Sequence, residues 1–285
     1  MNYRHAFHAC NFADVVKHAT LALLIERLKA KDGAFRVIDT HAGVGLYDLT
    51  SGKATRTGEW HEGIGRLWGR ERDPALDALL TPYLGAVAAA NSKAEPGALT
   101  RYPGSPWIAR HLLRRKDRLT AVELHPEDAA ELETLFAGDI QVRTIALDGW
   151  LALGAFVPPK ERRGLVLVDP PYEERDDFDT LLQGFLAAYR KWPTGIYALW
   201  YPVKDLAAVD RLRVGLVKSG VRRLLRGELW VRDRESQGTF NGAGLIVCNL
   251  PWQFDETLDG LLAGLAPVLA QGPGSGHLID EIVGE

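Results

Sequence analysis

An α/β fold built on a mostly parallel sheet is predicted by three features of this sequence. Short apolar runs alternate with amphipathic stretches at helical spacing. The first such run ends in a glycine turn, Gly43-Val44-Gly45, as at the carboxyl end of a strand that opens on a ligand crevice. The last two runs are joined by the polar loop RDRESQGTFN, and a loop that short favours antiparallel pairing.

The elements follow in order. Val15, Ala19, Leu23, Leu24 and Leu28 recur at helical spacing, which predicts a first helix from residue 14 to about 30. FRVID (35–39), TAVEL (120–124), QVRTI (141–145), GLVLV (164–168) and GIYALWY (195–201) read as buried strands. Helical patterns lie between them at Glu127–Phe136, Phe178–Lys191 and Leu206–Lys218. RRLLRGELWV (222–231) and GAGLIVCNL (242–250) form the late pair. About 75 residues separate Gly45 from Thr120, far more than one crossover helix needs. Helical patterns inside that gap and the proline-flanked exit YPGSP (102–106) make residues 48–100 a small helical insertion subdomain. The main domain is then 1–47 together with 101–285.

Composition narrows the class. With 46% hydrophobic and 25% charged residues the chain is globular, which excludes disorder, collagen and coiled coil. No apolar run approaches the roughly 18 residues of a membrane span. The N-terminus lacks the apolar core of a signal peptide, and two cysteines, Cys10 and Cys248, fit a reducing cytosol. The net charge is −3, yet Pro251–Glu285 carries six acids and no cation. Arg101–Arg118 holds six cations and one acid, and Arg211–Arg226 six cations and no acid. Such clusters suit a phosphate-binding face, although a charge run is as often a solvated helix face.

The strongest chemical signal is Asp169-Pro170-Pro171-Tyr172, directly after GLVLV. An exocyclic amine on a nucleobase is a poor nucleophile because its lone pair is delocalised into the ring. Acceptors for both of its N–H groups let the nitrogen pyramidalise towards an electrophile. The Asp169 carboxylate and the Pro170 carbonyl supply two acceptors, and paired prolines fix that carbonyl in an extended geometry. Tyr172 offers a face for stacking a base that has left its helix. The plain alternative is a proline-rich turn after a strand. If orientation is the main task of Asp169, an amide at this position keeps part of the activity.

Asp39-Thr40-His41-Ala42-Gly43-Val44-Gly45 lets the backbone approach a ligand, but a dinucleotide fingerprint would need a third glycine where Asp48 stands. Glu123 ends the next strand, where an acid can accept two ribose hydroxyls of a nucleoside cofactor. Asp148-Gly149 follows QVRTI and can meet an adenine edge in the same crevice. Near the start, Tyr3, Arg4, His5 and Lys17 combine a stacking ring with phosphate-seeking cations. A metal at His5-x-x-His8 lacks a Cys or acid cluster behind it, Cys10 lacks a base, and His125 before Pro126 is a turn residue.

In this order, glycine turn, strand-end acid, Asp-Gly and D-P-P-Y resemble the S-adenosylmethionine-dependent amino-methyltransferases. YRHAFHACNFADVVKH, DTHAGVG, YPGSP, AVELHP, LVDPPYE and YALWYPV, from residue 3 to about 203, resemble more narrowly the bacterial 23S ribosomal RNA adenine-N6 methyltransferases of the RlmJ type. The resemblance implies a Rossmann-like α/β sheet of seven strands, mostly parallel with a late antiparallel strand, and a helical insertion. It implies S-adenosylmethionine bound by His18, His41, Ser105, Glu123, Asp148, Gly149 and Asp169, with Gly43 in the turn. It places catalysis at Asp169, with Pro170 and Tyr172 beside it, and turns Tyr3, His5 and Lys17 towards substrate RNA. His41 stands where the broader methyltransferase pattern often has an aromatic. The implied partner is 23S ribosomal RNA in the cytoplasm, before or without full ribosome assembly, modified at adenine 2030, with no metal and no membrane.

Rival readings remain at this level. A DNA adenine methyltransferase shares D-P-P-Y, but usually carries a recognition domain larger and more basic than an insertion of charge −1. Protein glutamine methylation normally presents Asn at the position of Asp169. A nucleic-acid-binding protein with a dead site is disfavoured by the intact Asp169 and Glu123, and a nicotinamide oxidoreductase by the missing glycine.

Overall fold

The computed structural model describes residues 10–51, 58–174, 176–236 and 239–284. Helix α1 (Phe12–Lys29) starts where the Asn11 side chain accepts the backbone N–H groups of Ala13 and Asp14. It is buried over nearly its whole length, including Asp14, Lys17, His18 and Thr20. Charged groups survive such burial only when paired, so this helix carries internal chemistry as well as packing.

The sequence runs form β1 (Arg36–Asp39), β4 (Arg118–Glu123), β5 (Val142–Ala146), β6 (Gly164–Val168), β7 (Ile196–Val203), β8 (Leu224–Trp230) and β9 (Gly242–Cys248). Among the described residues the main sheet has eight strands rather than seven: with β10 (Gly276–Val283) the order is β10-β8-β9-β7-β6-β1-β4-β5. β5, β4, β1, β6 and β7 are parallel, while β9 runs against β7 and β8 against β9. The added strand is β10 (Gly276–Val283), which lies antiparallel on the edge of β8. Its acidic composition disguises it in the sequence. Asp280 is answered by Arg226 across the pair, at 2.7 Å.

Deleting residues 272–285 strips this edge strand and uncovers the β8 ladder. The expected result is a fall in Tm of at least about 5 °C with increased self-association, from lost ladder bonds and an exposed edge. Thermal unfolding with light scattering checks it, and an unchanged Tm would contradict it.

Residues 48–100 begin and end in a ribbon, β2 (Leu46–Asp48) paired antiparallel with β3 (Arg101–Pro103). Within them, helix α2 (Pro74–Ala90) is capped by Asp73 and starts on proline. Its Leu76, Leu80, Tyr83, Ala86 and Val87 join the same hydrophobic core as α1. The inserted helix thus packs into the main body. Helix α3 (Ser105–Leu112) follows β3 directly and begins inside YPGSP, the proline-flanked exit of the insertion. The remaining helices are α4 (Pro126–Leu135), α5 (Gly149–Ala155), α6 (Asp177–Lys191), α7 (Leu206–Lys218) and α8 (Phe254–Leu269).

Arg101 lies opposite Asp48, near the glycine turn, but most of the two basic stretches lies elsewhere. Arg114–Arg118 lead into the amino end of β4, and Lys218–Arg223 precede β8, whose first residue lies at the amino end of the parallel strands. Many of these cations serve the fold. Arg110 pairs with Asp139, Arg114 with Asp117, Lys116 with Asp32 and Arg213 with Asp210. No described helix is long and apolar enough to cross a membrane.

Candidate active site

The strand order reverses at β1, with β4 on one side and β6 on the other, so a crevice opens at their carboxyl ends. Three acids stand there: Asp39 ends β1, Glu123 ends β4, and Asp169 follows β6.

Gly43 has φ +60°, and a Cβ on it would come within 2.5 Å of the Tyr47 hydroxyl. Only glycine makes this turn without strain. The Gly43 N–H donates to Glu123 Oε2 at 2.8 Å, and the His125 N–H donates to Oε1 at 2.8 Å. Each carboxylate oxygen therefore has one bond that fixes it and further lone-pair capacity for a ligand hydroxyl. His125 is part of that fixation.

Thr40 Oγ1 lies 3.0 Å from the Leu167 carbonyl and 2.9 Å from His41 Nδ1. The carbonyl can only accept, so the single Thr40 proton goes to it and His41 Nδ1 must donate. His41 Nε2 is then an acceptor, and burial lowers the ring pKa to about 4, leaving it neutral. Gly149 backs this ring: a Cβ there would strike the Thr40 carbonyl oxygen and lie 2.6 Å from His41 Nε2. The Asp148 carboxylate caps α5 by accepting the N–H groups of Trp150, at 2.7 Å, and Leu151. That bond orients the Asp-Gly corner and uses only one carboxylate oxygen.

Asp39 opens the glycine-turn motif and closes the FRVID run, but motif reading gives it no role of its own. Its side chain is buried, and neither oxygen makes a well-aligned hydrogen bond. Burial pushes its carboxyl up to about 7, opposed by the nearby Ser105 hydroxyl and reinforced by the negative charge of Asp169. A buried carboxylate without a well-aligned donor, at a crevice, suits a positively charged ligand.

Asp169 is held from below. Lys17 Nζ donates to its Oδ2 at 2.5 Å and pairs with Asp14 Oδ1 at 2.8 Å. Asp14 Oδ2 in turn accepts the Cys10 N–H at 2.6 Å. Burial alone would favour a neutral amine, but Asp14 and Asp169 outweigh it and raise the Lys17 pKa. Lys17 is only 4% exposed, with Nζ 5.8 Å from the Trp200 ring centre. It is a buried partner of the D-P-P-Y carboxylate and cannot serve as the surface, phosphate-seeking cation that the sequence suggests. Among the described residues Asp169 Oδ1 has no partner.

Tyr172 adopts φ +52° and packs its ring 4.9 Å from Phe178 and 5.7 Å from Trp200, centre to centre. Its hydroxyl donates to the Trp200 carbonyl at 2.6 Å, so it is fastened to β7 as well as offering a ring. Phe240, from the loop between β8 and β9, stands 6.5 Å from Trp200 and 5.0 Å from Phe12. These rings extend the aromatic wall beyond what D-P-P-Y predicts. His18 lies on α1 next to Lys17, with Nδ1 2.8 Å from the Tyr102 hydroxyl. Tyr3, His5 and the metal candidate His5-x-x-His8 lie outside the described residues. Among the described residues no group of three His, Cys, Asp or Glu side chains is placed to hold a metal ion.

Comparison with known proteins fits this geometry. The model of the family described as "Ribosomal RNA large subunit methyltransferase D, RlmJ" matches residues 32–281. The ribosomal RNA large subunit methyltransferase J of Escherichia coli K12 is 43% identical over 97% of this chain and 96% of its own. That of Haemophilus influenzae is 41% identical over 96% of each. This chain belongs to the RlmJ family of ribosomal RNA large-subunit methyltransferases. A crystal structure of a Legionella pneumophila protein superposes with a TM-score of 0.85, at 32% identity, over 96% of this chain and 98% of that one. The cofactor of an RlmJ-family methyltransferase is S-adenosylmethionine, and the site suits it. The buried Asp39 carboxylate, short of well-aligned donors, meets the need of a cationic ligand, and glycines at 43 and 149 let the turn and the Asp-Gly corner pack closely against Tyr47 and His41.

Proposed function

We propose that this protein transfers the methyl group of S-adenosylmethionine to the N6 amine of an adenine in 23S ribosomal RNA. The observation that carries this reading is Asp169, with Oδ2 tied to Lys17 and Oδ1 open at the end of β6. Glu123 would take the cofactor's ribose hydroxyls, and Asp39 its positive charge. His18, His41, Ser105 and the Asp148-Gly149 corner complete its surroundings. The bound cofactor supplies an electrophilic methyl group. Asp169 Oδ1 and the Pro170 carbonyl accept the two N–H groups of the amine, which frees its lone pair for attack. The neutral amine needs no prior deprotonation, and its proton leaves after transfer, to Asp169 or to water. Tyr172 and the rings around it hold a base that has swung out of its stack.

Such a base must be reachable, which favours RNA before or without full subunit assembly, in the cytoplasm. Labelled cofactor should methylate deproteinised 23S ribosomal RNA lacking the modification, giving N6-methyladenosine on nucleoside analysis, and methylate complete large subunits poorly. Label on another nucleoside, or none, overturns the reading.

Cofactor affinity should depend on pH through Asp39. In the free protein its carboxyl is half protonated near pH 7, and a cationic ligand requires the ionised form. Below pH 7, binding displaces a proton, and affinity falls towards about tenfold per pH unit. Calorimetry in buffers of different ionisation heat measures that release. An affinity flat between pH 5 and pH 8 contradicts it.

RNA affinity should fall with salt, through cations at the carboxyl end of the sheet. Lys204, exposed just after β7, is one such cation. Lys204→Ala should reduce the slope of log affinity against log salt by about 0.7–0.9. Arg115→Ala, at the opposite end, should leave the slope unchanged. Equal effects of the two substitutions would refute this placement.

A further inference from the structure

The loop between β8 and β9 brings Phe240 to the aromatic wall of the crevice, and a closed network holds it there. The rings of Tyr172, Trp200 and Phe240 form a row with neighbouring centres 5.7 and 6.5 Å apart, and Phe12 backs Phe240 at 5.0 Å. Tyr172, Trp200 and Phe240 are each half-buried, whereas Phe12 is buried. The row starts beside Asp169 and ends on the loop.

Strand register places that loop. Gly242, the first residue of β9, lies opposite Val203, the last of β7, so the loop stands at the carboxyl end of the parallel strands. The Asn241 N–H donates to the Val203 carbonyl at 3.2 Å, and the Val231 N–H donates to the Asn241 carbonyl at 2.8 Å. Asn241 is buried, and its side-chain oxygen accepts the Thr239 hydroxyl at 2.8 Å. Earlier in the loop, Arg234 donates to Glu228 Oε2 at 2.6 and 3.0 Å. Glu228 is fully buried, and its Oε1 accepts the Tyr201 hydroxyl at 2.7 Å. Tyr201 follows Trp200 on β7, so one buried carboxylate ties the loop to the strand that carries the middle ring. A ring held in this way has little freedom left to lose when a base stacks on it. Lys204, exposed and next to Val203, puts a phosphate-seeking cation beside the same loop.

We propose that Phe240 stacks the base of a nucleotide adjacent to the target adenine, so that the enzyme takes its RNA with that neighbour unpaired. This rests on the reading of the D-P-P-Y corner as the site of the target base. A strand that delivers one base to Tyr172 brings its neighbours to the same wall, and Phe240 is the next ring along it after Trp200. Stacking on a ring tolerates any base, so the neighbour is selected for being unpaired and not for its identity.

The test uses the full chain and a 23S ribosomal RNA fragment in which wild type forms N6-methyladenosine. Each nucleotide flanking the target is replaced in turn by an abasic one, and kcat/KM for RNA is measured. In wild type at least one abasic fragment should lose about ten- to a hundredfold, the worth of one base–aromatic stack. Phe240→Leu keeps an apolar contact with Phe12 and loses the flat face. It should show a loss of that size on the intact fragment and no further loss on the same abasic fragment. Phe240→Tyr keeps the face and should follow wild type on every fragment. S-adenosylmethionine affinity and Tm should match wild type in both variants, which separates stacking from a general loss of fold. Abasic losses equal in wild type and Phe240→Leu, or absent from wild type, overturn the proposal and leave the D-P-P-Y reading standing. If wild type forms no N6-methyladenosine in any fragment, the D-P-P-Y reading fails and the proposal falls with it.

Discussion

Replacing Asp169 with alanine should slow methyl transfer by at least about a hundredfold, while S-adenosylmethionine affinity stays within a few-fold of wild type. The substitution removes the open Oδ1 acceptor for the amine, and preorganised acceptors of this kind are worth about 10²–10³ in rate. It also removes one of the two carboxylates that answer Lys17 at 2.5 and 2.8 Å. Asp14 remains, so the protein should still fold, with Tm lowered by several degrees. The ion pair changes what the amide variant should do. In Asp169→Asn a single oxygen must serve both the Lys17 ammonium and the substrate amine. The charged donor has the stronger claim on it, which turns the amide NH2 towards the substrate N–H. Asp169→Asn should therefore be nearly as inactive as Asp169→Ala, against the expectation from the motif alone. Calorimetry for the cofactor and thermal unfolding for the fold accompany the rate measurement.

Glu123→Ala should weaken cofactor binding by about two to three orders of magnitude. Two ribose hydrogen bonds to a charged acceptor, at about 1.5–2 kcal/mol each, amount to about 3–4 kcal/mol. The Gly43 and His125 N–H groups also lose the acceptor that fixes the glycine turn. The effect should appear in KM for S-adenosylmethionine far more than in kcat at saturation. A variant that binds within about threefold of wild type would remove Glu123 from the cofactor site.

Much of this architecture is legible without coordinates, because period and turn chemistry are local. FRVID, TAVEL, GLVLV and the late pair become β1, β4, β6, β8 and β9 close to their expected bounds. The eighth strand escaped because an edge strand is only half buried and lacks a clear apolar alternation, and its acids read as a tail. The same locality limits the site. D-P-P-Y and Glu123 announce themselves by position after a strand. Lys17 does not, since nothing local tells a buried lysine from a surface one, and its partner Asp169 is 152 residues away. The function of Asp39 likewise depends on burial and on the absence of a well-aligned partner, neither of which a sequence displays. The basic stretches mislead for a related reason: composition gives their charge but not which end of the sheet they occupy.

Asp169, fixed by Lys17, would present an adenine amine for methylation. Single-turnover transfer from labelled S-adenosylmethionine to an adenine-containing fragment of 23S ribosomal RNA tests it directly. Wild type should yield N6-methyladenosine, and Asp169→Ala and Asp169→Asn should both lie at least about a hundredfold lower with cofactor affinity retained. Wild-type turnover by Asp169→Ala, or a methyl group on any atom other than adenine N6, would contradict the account.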